Sequence, residues 1–214
     1  MQRPIFPWAV ALAGLVSALL LPFADVYPLV PAFVSQAFSS EPRYIPEAIG
    51  MFFAYMFQHE NTNLHWVMNF IFLFWFGTVL ENAIGHLRML AFILSTGVFG
   101  GLAHYLADPG LTIPAVGLSG VIVAVIAVLT VATPRFALVR VPYTELTIVR
   151  MWQFGLFVLG TQFYHYLQVA PGDKTAYWIH FGGVVAGLAL WFFWLRQRIE
   201  DFKRSPAGEH LLQA

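Results

Sequence analysis

Residues 116–133 read VGLSGVIVAVIAVLTVAT and contain no charged side chain. A helix needs roughly 20 mostly apolar residues to cross a bilayer, so this stretch is predicted to be a transmembrane helix. The rest of the chain has the same character, because 59% of its 214 residues are hydrophobic and only 10% are charged. A soluble domain carries about 25% charged residues, and one core of this size could not hide so much apolar surface. The composition therefore indicates a membrane protein.

Six segments are long and apolar enough to be predicted as membrane-spanning helices. They lie at about 8–24, 65–84, 88–107, 116–133, 151–169 and 178–195. The connection at 25–64 is interrupted by prolines and carries charged residues, so we predict an outer loop with a half-buried interfacial helix or loop at 45–57. We therefore predict an all-α fold: one polytopic membrane domain over 1–214, a six-helix bundle with a short cytoplasmic tail at 196–214.

The lysines and arginines predict the orientation of this bundle. Six spans place both termini on one side of the membrane, together with nine basic residues: Arg3, Arg88, Arg135, Arg140, Arg150, Arg196, Arg198, Lys203 and Arg204. The other side holds only Arg43 and Lys174. Because Lys and Arg collect in cytoplasmic segments, we expect both termini to be cytoplasmic. We expect a multi-pass protein of the bacterial inner (plasma) membrane.

Composition also excludes several classes of function. The formal net charge is zero, which argues against a nucleic-acid partner. The chain has no cysteine, so disulfides, cysteine-based metal sites and cysteine nucleophiles are excluded. His65 and Asn69 have a spacing that would suit a pair of metal ligands, but a zinc site needs a third protein ligand and no such pattern is present. We therefore expect no metal and no organic cofactor.

Four polar residues are predicted to share one depth near the outer leaflet. In this topology the second, fourth and sixth spans all run from outside to inside, and their first turns contain His65, Asn69, Ser119 and His180. Polar groups at membrane depth are by default candidates for a functional site. A serine hydroxyl needs a base to become a nucleophile, and His180 could supply it. The alternative interpretation is helix packing for Ser119 and a headgroup-facing position for His180.

Small residues predict how these helices approach each other. Gly183 and Gly187 form a small-xxx-small face that permits tight packing of the sixth span. If the fourth span is the neighbour, with Gly117 and Gly120 flanking its serine, the imidazole of His180 comes within hydrogen-bond reach of the hydroxyl of Ser119.

The second span carries two further candidates and one structural residue. His65 and Asn69 lie on one helix face and fit an oxyanion hole, or alternatively a pair of helix–helix hydrogen bonds. Glu81 lies about three turns further, roughly 18 Å away, and is predicted to be structural. No Asp or Glu is placed to orient His180, so the sequence predicts a Ser–His dyad rather than a triad.

Taken together, these residues resemble the rhomboid family of intramembrane serine proteases. The resemblance covers nearly the whole chain beyond the first span. Three motifs carry it: a second-span signature (Phe57-Gln58-His59, His65, Asn69, Gly77, Glu81 and Gly85), a GxSG motif (Gly117-Leu118-Ser119-Gly120), and a His-xx-Gly-xxx-Gly motif (His180, Gly183 and Gly187).

The resemblance implies a role for each candidate residue. Ser119 would be the nucleophile and His180 the general base, and His65, Asn69 and the backbone N–H of Ser119 would form the oxyanion hole. The implied activity is that of a serine endopeptidase that cleaves transmembrane protein substrates near the outer leaflet, with those substrates and the lipid bilayer as partners.

Two other functions stay open at this point. The first is a catalytically inactive rhomboid-like protein that binds membrane helices without cutting them. Val123 stands where members often carry a tyrosine stacked on the histidine, and Gly50 and Met51 stand where many carry a Trp-Arg pair. The second is a small transporter or channel, which would need polar residues deep in several spans, whereas the midplane positions here are mostly apolar.

Overall fold

The chain is built almost entirely of helices in the computed structural model, which describes residues 7–20, 28–59, 63–140, 147–168 and 177–213. The helices are α1 (Trp8–Leu20), α2 (Pro31–Ser39), α3 (Ile45–Ala54), α4 (Asn63–Phe72), α5 (Thr78–Ile84), α6 (His86–Ala107), α7 (Ser119–Ala132), α8 (Met151–Leu167), α9 (Tyr177–Leu190), α10 (Arg196–Lys203) and α11 (Pro206–Gln213). The predicted all-α class is confirmed.

Within the described residues, three helical runs are long and apolar enough to cross a membrane: Leu64–Ile84, His86–Ala107 and Tyr177–Lys203. Two shorter apolar helices lie at Trp8–Leu19 and Ser119–Ala132. Large apolar side chains on α6, α8 and α9 point outward, including Phe99, Phe157 and Val185. Contiguous apolar surface of this kind needs a nonpolar environment, which indicates an integral membrane protein.

Two of the long runs contain a π-helical turn. Leu73–Gly77 joins α4 to α5, and Trp191–Leu195 joins α9 to α10. The first run ends at Gly85, whose φ of 85° lies in the left-handed region that favours glycine. That residue allows the chain to reverse directly into α6.

Glu81 holds α1 in place. Its carboxylate is 1% exposed and accepts hydrogen bonds from the backbone N–H groups of Ala9 (2.7 Å) and Val10 (2.9 Å). His86 Nδ1 lies 2.6 Å from the same carboxylate. The first N–H groups of a helix have no partner inside the helix, and a carboxylate at this end is electrostatically favoured. Glu81 therefore caps α1 from the end of the α4–α5 run.

The connection between α1 and α4 contains two helices, each with a proline in its first turn, α2 at Pro31 and α3 at Pro46. A 3-10 turn, Tyr55–Phe57, follows α3. The buried Tyr55 donates its hydroxyl to the carbonyl oxygen of Gly97 in α6 at 2.7 Å. Its own carbonyl oxygen accepts from the N–H of Gly117 at 2.9 Å. The connection is therefore anchored both to α6 and to the turn that precedes α7.

The structure adds elements that the sequence analysis does not predict. An antiparallel hairpin of β1 (Ala137–Arg140) and β2 (Thr147–Arg150) lies between α7 and α8. The predicted tail is helical as α10 and α11, and Lys203 Nζ donates to the carbonyl oxygen of Ala132, the last residue of α7, at 3.0 Å. Three parts of the predicted segments lie outside the described residues. They are positions 21–27, where the predicted first span meets the outer loop, positions 60–62 of that loop, and positions 169–176 between the predicted fifth and sixth spans.

Helices α6, α7 and α9 pack closely because small residues lie between them. A Cβ added to Gly183 would lie 2.5 Å from the backbone oxygen of Gly120, and one added to Gly187 would lie 3.1 Å from the Cβ of Ala124. Gly100 of α6 faces the backbone oxygen of Ile179 in the same way, at 2.8 Å. Side chains larger than hydrogen at these positions would separate the helices. Helix α7 is the central element, and nearly all of its side chains are buried.

Candidate active site

Ser119 is the first residue of α7, directly after a turn that only a glycine adopts easily. Gly117 has a φ of 110°, in the left-handed region. A Cβ at this position would lie 3.1 Å from His65 Cε1 and 3.4 Å from Asn69 Nδ2. The turn therefore lies against the face of α4 that carries these two residues, and Ser119 follows it by two positions.

Ser119 and His180 form a hydrogen bond between two helices. The Oγ of Ser119 lies 2.8 Å from the Nε2 of His180 in α9. The imidazole is buried, with 8% of its residue surface exposed. The close approach of Gly183 to Gly120 permits this bond, since each glycine lies within one turn of one member of the pair.

The second nitrogen of His180 has its own partner, on a third helix. His180 Nδ1 lies 2.6 Å from Oε1 of Gln162 in α8. A carbonyl oxygen can only accept a hydrogen bond, so Nδ1 carries the proton in this arrangement. Nε2 is then left with its lone pair directed at the hydroxyl of Ser119. Across the described ranges, no carboxylate is hydrogen-bonded to His180.

Gln162 is not among the residues predicted from the sequence, because the predicted partners of the histidine were limited to Asp and Glu. One signal was available: Gln162 is an amide within the apolar segment predicted at 151–169. An amide in such a segment needs a hydrogen-bond partner. Pattern alone does not show which neighbouring helix provides it.

Asn69 offers an uncommitted donor next to the turn. The residue is 6% exposed, and its Nδ2 is buried with no hydrogen-bond partner among the described residues. Leaving a buried donor unsatisfied costs about 1–3 kcal/mol, so such a group in a native site calls for an explanation. Ser119 adds a second donor, because its backbone N–H belongs to the first turn of α7, where N–H groups have no partner inside the helix.

A buried histidine supports the position of His65. The rings of His59 and His65 meet edge to face, with centroids 5.2 Å apart. His59 is fully buried. Burial, reinforced by the neighbouring His65, lowers the pKa of His59 to about 4. His59 is therefore a neutral packing partner at physiological pH.

An aromatic ring next to His180 comes from an unexpected position. Val123 stands where members of the family that the sequence resembles often carry a tyrosine, and it is a buried residue of α7. The ring of Tyr177, one turn before His180 in α9, meets the imidazole edge to face at 6.4 Å and 88°. An aromatic neighbour of the histidine is thus supplied from its own helix.

Glu81 is the remaining residue that the sequence singles out. Glu81 lies away from this group, with its carboxylate committed to α1 and His86. The part of the chain that the structure describes contains no cluster of three His, Cys, Asp or Glu residues that could hold a metal ion.

Comparison with family models identifies a match that covers most of the chain. The family model described as "Rhomboid domain" matches residues 46–197, a segment that contains all the residues of the candidate site. No curated protein matches the chain.

Proposed function

This chain belongs to the rhomboid family, which confirms the predicted resemblance, and we propose that it is an intramembrane serine endopeptidase. The observation that carries the proposal is the 2.8 Å contact between Ser119 Oγ and His180 Nε2. A nucleophile and its base within hydrogen-bond reach, with the base held by a third group, is the arrangement needed for covalent catalysis. The substrate class is transmembrane protein segments, cleaved near the outer leaflet.

In the proposed reaction Ser119 Oγ attacks the carbonyl carbon of the scissile peptide bond while its proton passes to His180 Nε2. The tetrahedral intermediate collapses, the C–N bond breaks, and the imidazolium gives its proton to the leaving amine. Water then attacks the acyl-enzyme and passes a proton to His180. The second collapse releases the carboxylic acid and returns a proton to Ser119 Oγ.

The developing oxyanion needs donors that are in place before the reaction. The uncommitted Nδ2 of Asn69 and the backbone N–H of Ser119 support this role. His65 lies against the same turn. The N-terminal end of α7 adds a favourable dipole for negative charge.

The outward-facing apolar side chains support transmembrane segments and the lipid bilayer as partners. A helical substrate that diffuses within the bilayer meets these apolar helices without leaving lipid. The scissile peptide bond of that substrate then has to reach Ser119 at the N-terminal end of α7.

The second candidate function is a catalytically inactive relative that binds membrane helices. The substitution of Val123 for the tyrosine that often contacts the histidine favours it. The two functions differ in one chemical property. His180 activates Ser119 in the protease and does not activate it in the inactive binding protein.

A fluorophosphonate probe separates the two functions, because it reacts covalently only with an activated serine. We expect the purified parent protein to be labelled and the Ser119→Ala variant to remain unlabelled. Ser40→Ala is the matched control, because this exposed serine lies in the outer connection and its labelling should equal that of the parent. Absence of labelling in the folded parent would favour the binding protein.

Asn69→Ala is expected to lower kcat by about 10²- to 10³-fold, the usual effect of removing one oxyanion donor. KM should change little, because the lost interaction forms mainly in the transition state. Asn82→Ala is the control, since this asparagine of α5 bonds the carbonyl oxygen of Thr78 away from the site. Cleavage assays of both variants test the assignment, and a parent-like kcat in Asn69→Ala would remove Asn69 from the oxyanion hole.

We further propose a multi-pass topology in the bacterial inner membrane with both termini in the cytoplasm, as the distribution of basic residues predicts. The chain contains no cysteine, so single cysteines can be introduced cleanly. An impermeant thiol reagent should label Ser40→Cys in intact cells and Glu209→Cys only after lysis. Both positions are exposed. The reverse labelling pattern would invert the orientation.

A further inference from the structure

We propose that Gln162 is the positioning residue of this site and that it fixes the tautomer of His180. The inference rests on the proposed protease function. It concerns a group that does not touch the substrate and acts only through the imidazole. Its basis is the 2.6 Å contact between Gln162 Oε1 and His180 Nδ1, together with the 2.8 Å contact between His180 Nε2 and Ser119 Oγ.

A neutral imidazole has one N–H and one lone pair, and only one of the two arrangements can accept the serine proton. With the proton on Nδ1, Nε2 is the base that Ser119 needs. With the proton on Nε2, that N–H would point at the hydroxyl and the base would be lost. The oxygen of Gln162 accepts a hydrogen bond from Nδ1 and so stabilises the productive tautomer.

An amide is well suited to this position inside a membrane protein. A carboxylate would also accept from Nδ1, but removing its charge from water carries a large desolvation penalty. Gln162 provides an acceptor of the same geometry without a charge. It selects the tautomer while leaving the imidazole neutral and able to take up a proton.

The contact is separate from the packing that holds α8. A Cβ added to Gly155 would overlap Thr130 of α7, so α8 packs tightly against α7 at this point. Gln162 lies about two turns further along, in a part of α8 where Phe163, Tyr164 and Leu167 are exposed. Loss of the Gln162 amide should therefore change the imidazole without dislodging the helix.

Few groups other than Gln162 could determine which ring nitrogen of His180 carries the proton. Among the described residues, the only hydrogen-bond partners of its ring nitrogens are Ser119 and Gln162. The titratable neighbours are His65 and Tyr177, and Tyr177 meets the imidazole with its ring edge.

The test is nitrogen NMR of the full chain, labelled with ¹⁵N-histidine and held in bicelles. The chain has seven histidines, and the His180→Gln variant identifies the resonances of His180. Two-bond correlations distinguish a protonated Nδ1 from a protonated Nε2. We expect the parent to show the Nδ1–H form. Gln162→Leu and the more closely shaped Gln162→Met should both show the Nε2–H form in a substantial fraction of molecules.

Cleavage kinetics of the same variants give the second readout. Both should lower kcat about tenfold, the loss expected for one hydrogen bond of ordinary strength, with KM unchanged because substrate contacts are intact. Gln153→Leu is the matched control. This glutamine lies in the first turn of α8 and accepts a hydrogen bond from the N–H of Arg150 at 2.8 Å, so its loss perturbs the same helix without reaching the imidazole.

Two results would overturn the proposal: an Nε2–H tautomer in the parent, or an unchanged tautomer and kcat in both Gln162 variants. Fluorophosphonate labelling of the parent distinguishes this failure from failure of the protease function. If the parent is labelled but the Gln162 variants keep the parent tautomer and kcat, the protease function is supported and the positioning role of Gln162 is rejected. If the parent is not labelled but its tautomer still depends on Gln162, the protease function is rejected and the positioning role of Gln162 is supported.

Discussion

Ser119→Ala is expected to lower cleavage of a transmembrane test substrate in proteoliposomes by about 10⁴-fold or more, as loss of a serine nucleophile does in other enzymes. His180→Ala should cost nearly as much, because the hydroxyl then has no base. The double variant should be little worse than either single variant, since residues that act as one unit are strongly non-additive.

The thermal midpoint of unfolding serves as the control for these variants. Ser119→Ala deletes one hydroxyl of a half-buried residue, so its midpoint should stay close to that of the parent. If folded Ser119→Ala protein cuts the substrate at the parent rate, the protease proposal is wrong and the helix-binding function takes its place.

Gly183→Ala is expected to reduce both stability and activity. The new Cβ would lie 2.5 Å from the backbone oxygen of Gly120, and neither helix can relieve that contact by rotating a side chain. Overpacking of this kind costs about 1–3 kcal/mol. Moving α9 away from α7 also separates His180 from Ser119, and a displacement of about 1 Å can cost 10²-fold in rate.

Gly160→Ala is the matched control for this substitution. An added Cβ at Gly160 in α8 would meet nothing within 4 Å. An alanine there should leave activity unchanged and could only improve the helix, by roughly 0.5–1 kcal/mol. A Gly183→Ala variant with the thermal midpoint and kcat of the parent would show that α7 and α9 do not meet at this face.

The assignment of Ser119 and His180 could be made from sequence because two independent patterns point to the same depth. Hydrophobic length predicts where each span begins, and the basic residues predict which way it runs. The glycines beside both residues then indicate which spans approach closely. Each of these patterns can be recognised within a segment of the sequence, without knowledge of the tertiary packing.

The partner of His180 could not be predicted in the same way. The contact of Gln162 depends on how far α8 is rotated about its own axis relative to α9, and the apolar pattern of α8 does not define one buried face. The bond of Tyr55 to Gly97 has the same character, since it joins a side chain to a backbone oxygen 42 residues away. Contacts of this kind arise from tertiary packing.

The hairpin and the terminal helices were missed for a different reason. A search for apolar segments of about 20 residues cannot detect strands of four residues such as Ala137–Arg140 and Thr147–Arg150. Helix α10 is polar over most of its length and begins at Arg196, directly after the predicted end of the sixth span, so a search for apolar segments does not detect it. Its last residue, Lys203, donates a hydrogen bond to the end of α7, a tertiary contact that hydropathy does not reveal.

The capping of α1 by Glu81 has a consequence for how the protein is made. The backbone N–H groups of Ala9 and Val10 precede their acceptor by 72 and 71 residues. A ribosome that has just delivered α1 to the membrane has not yet synthesised the carboxylate that holds it. Until Glu81 emerges, the N–H groups of Ala9 and Val10 lack this acceptor. The capping of α1 by Glu81 therefore cannot form before the α4–α5 run has been synthesised.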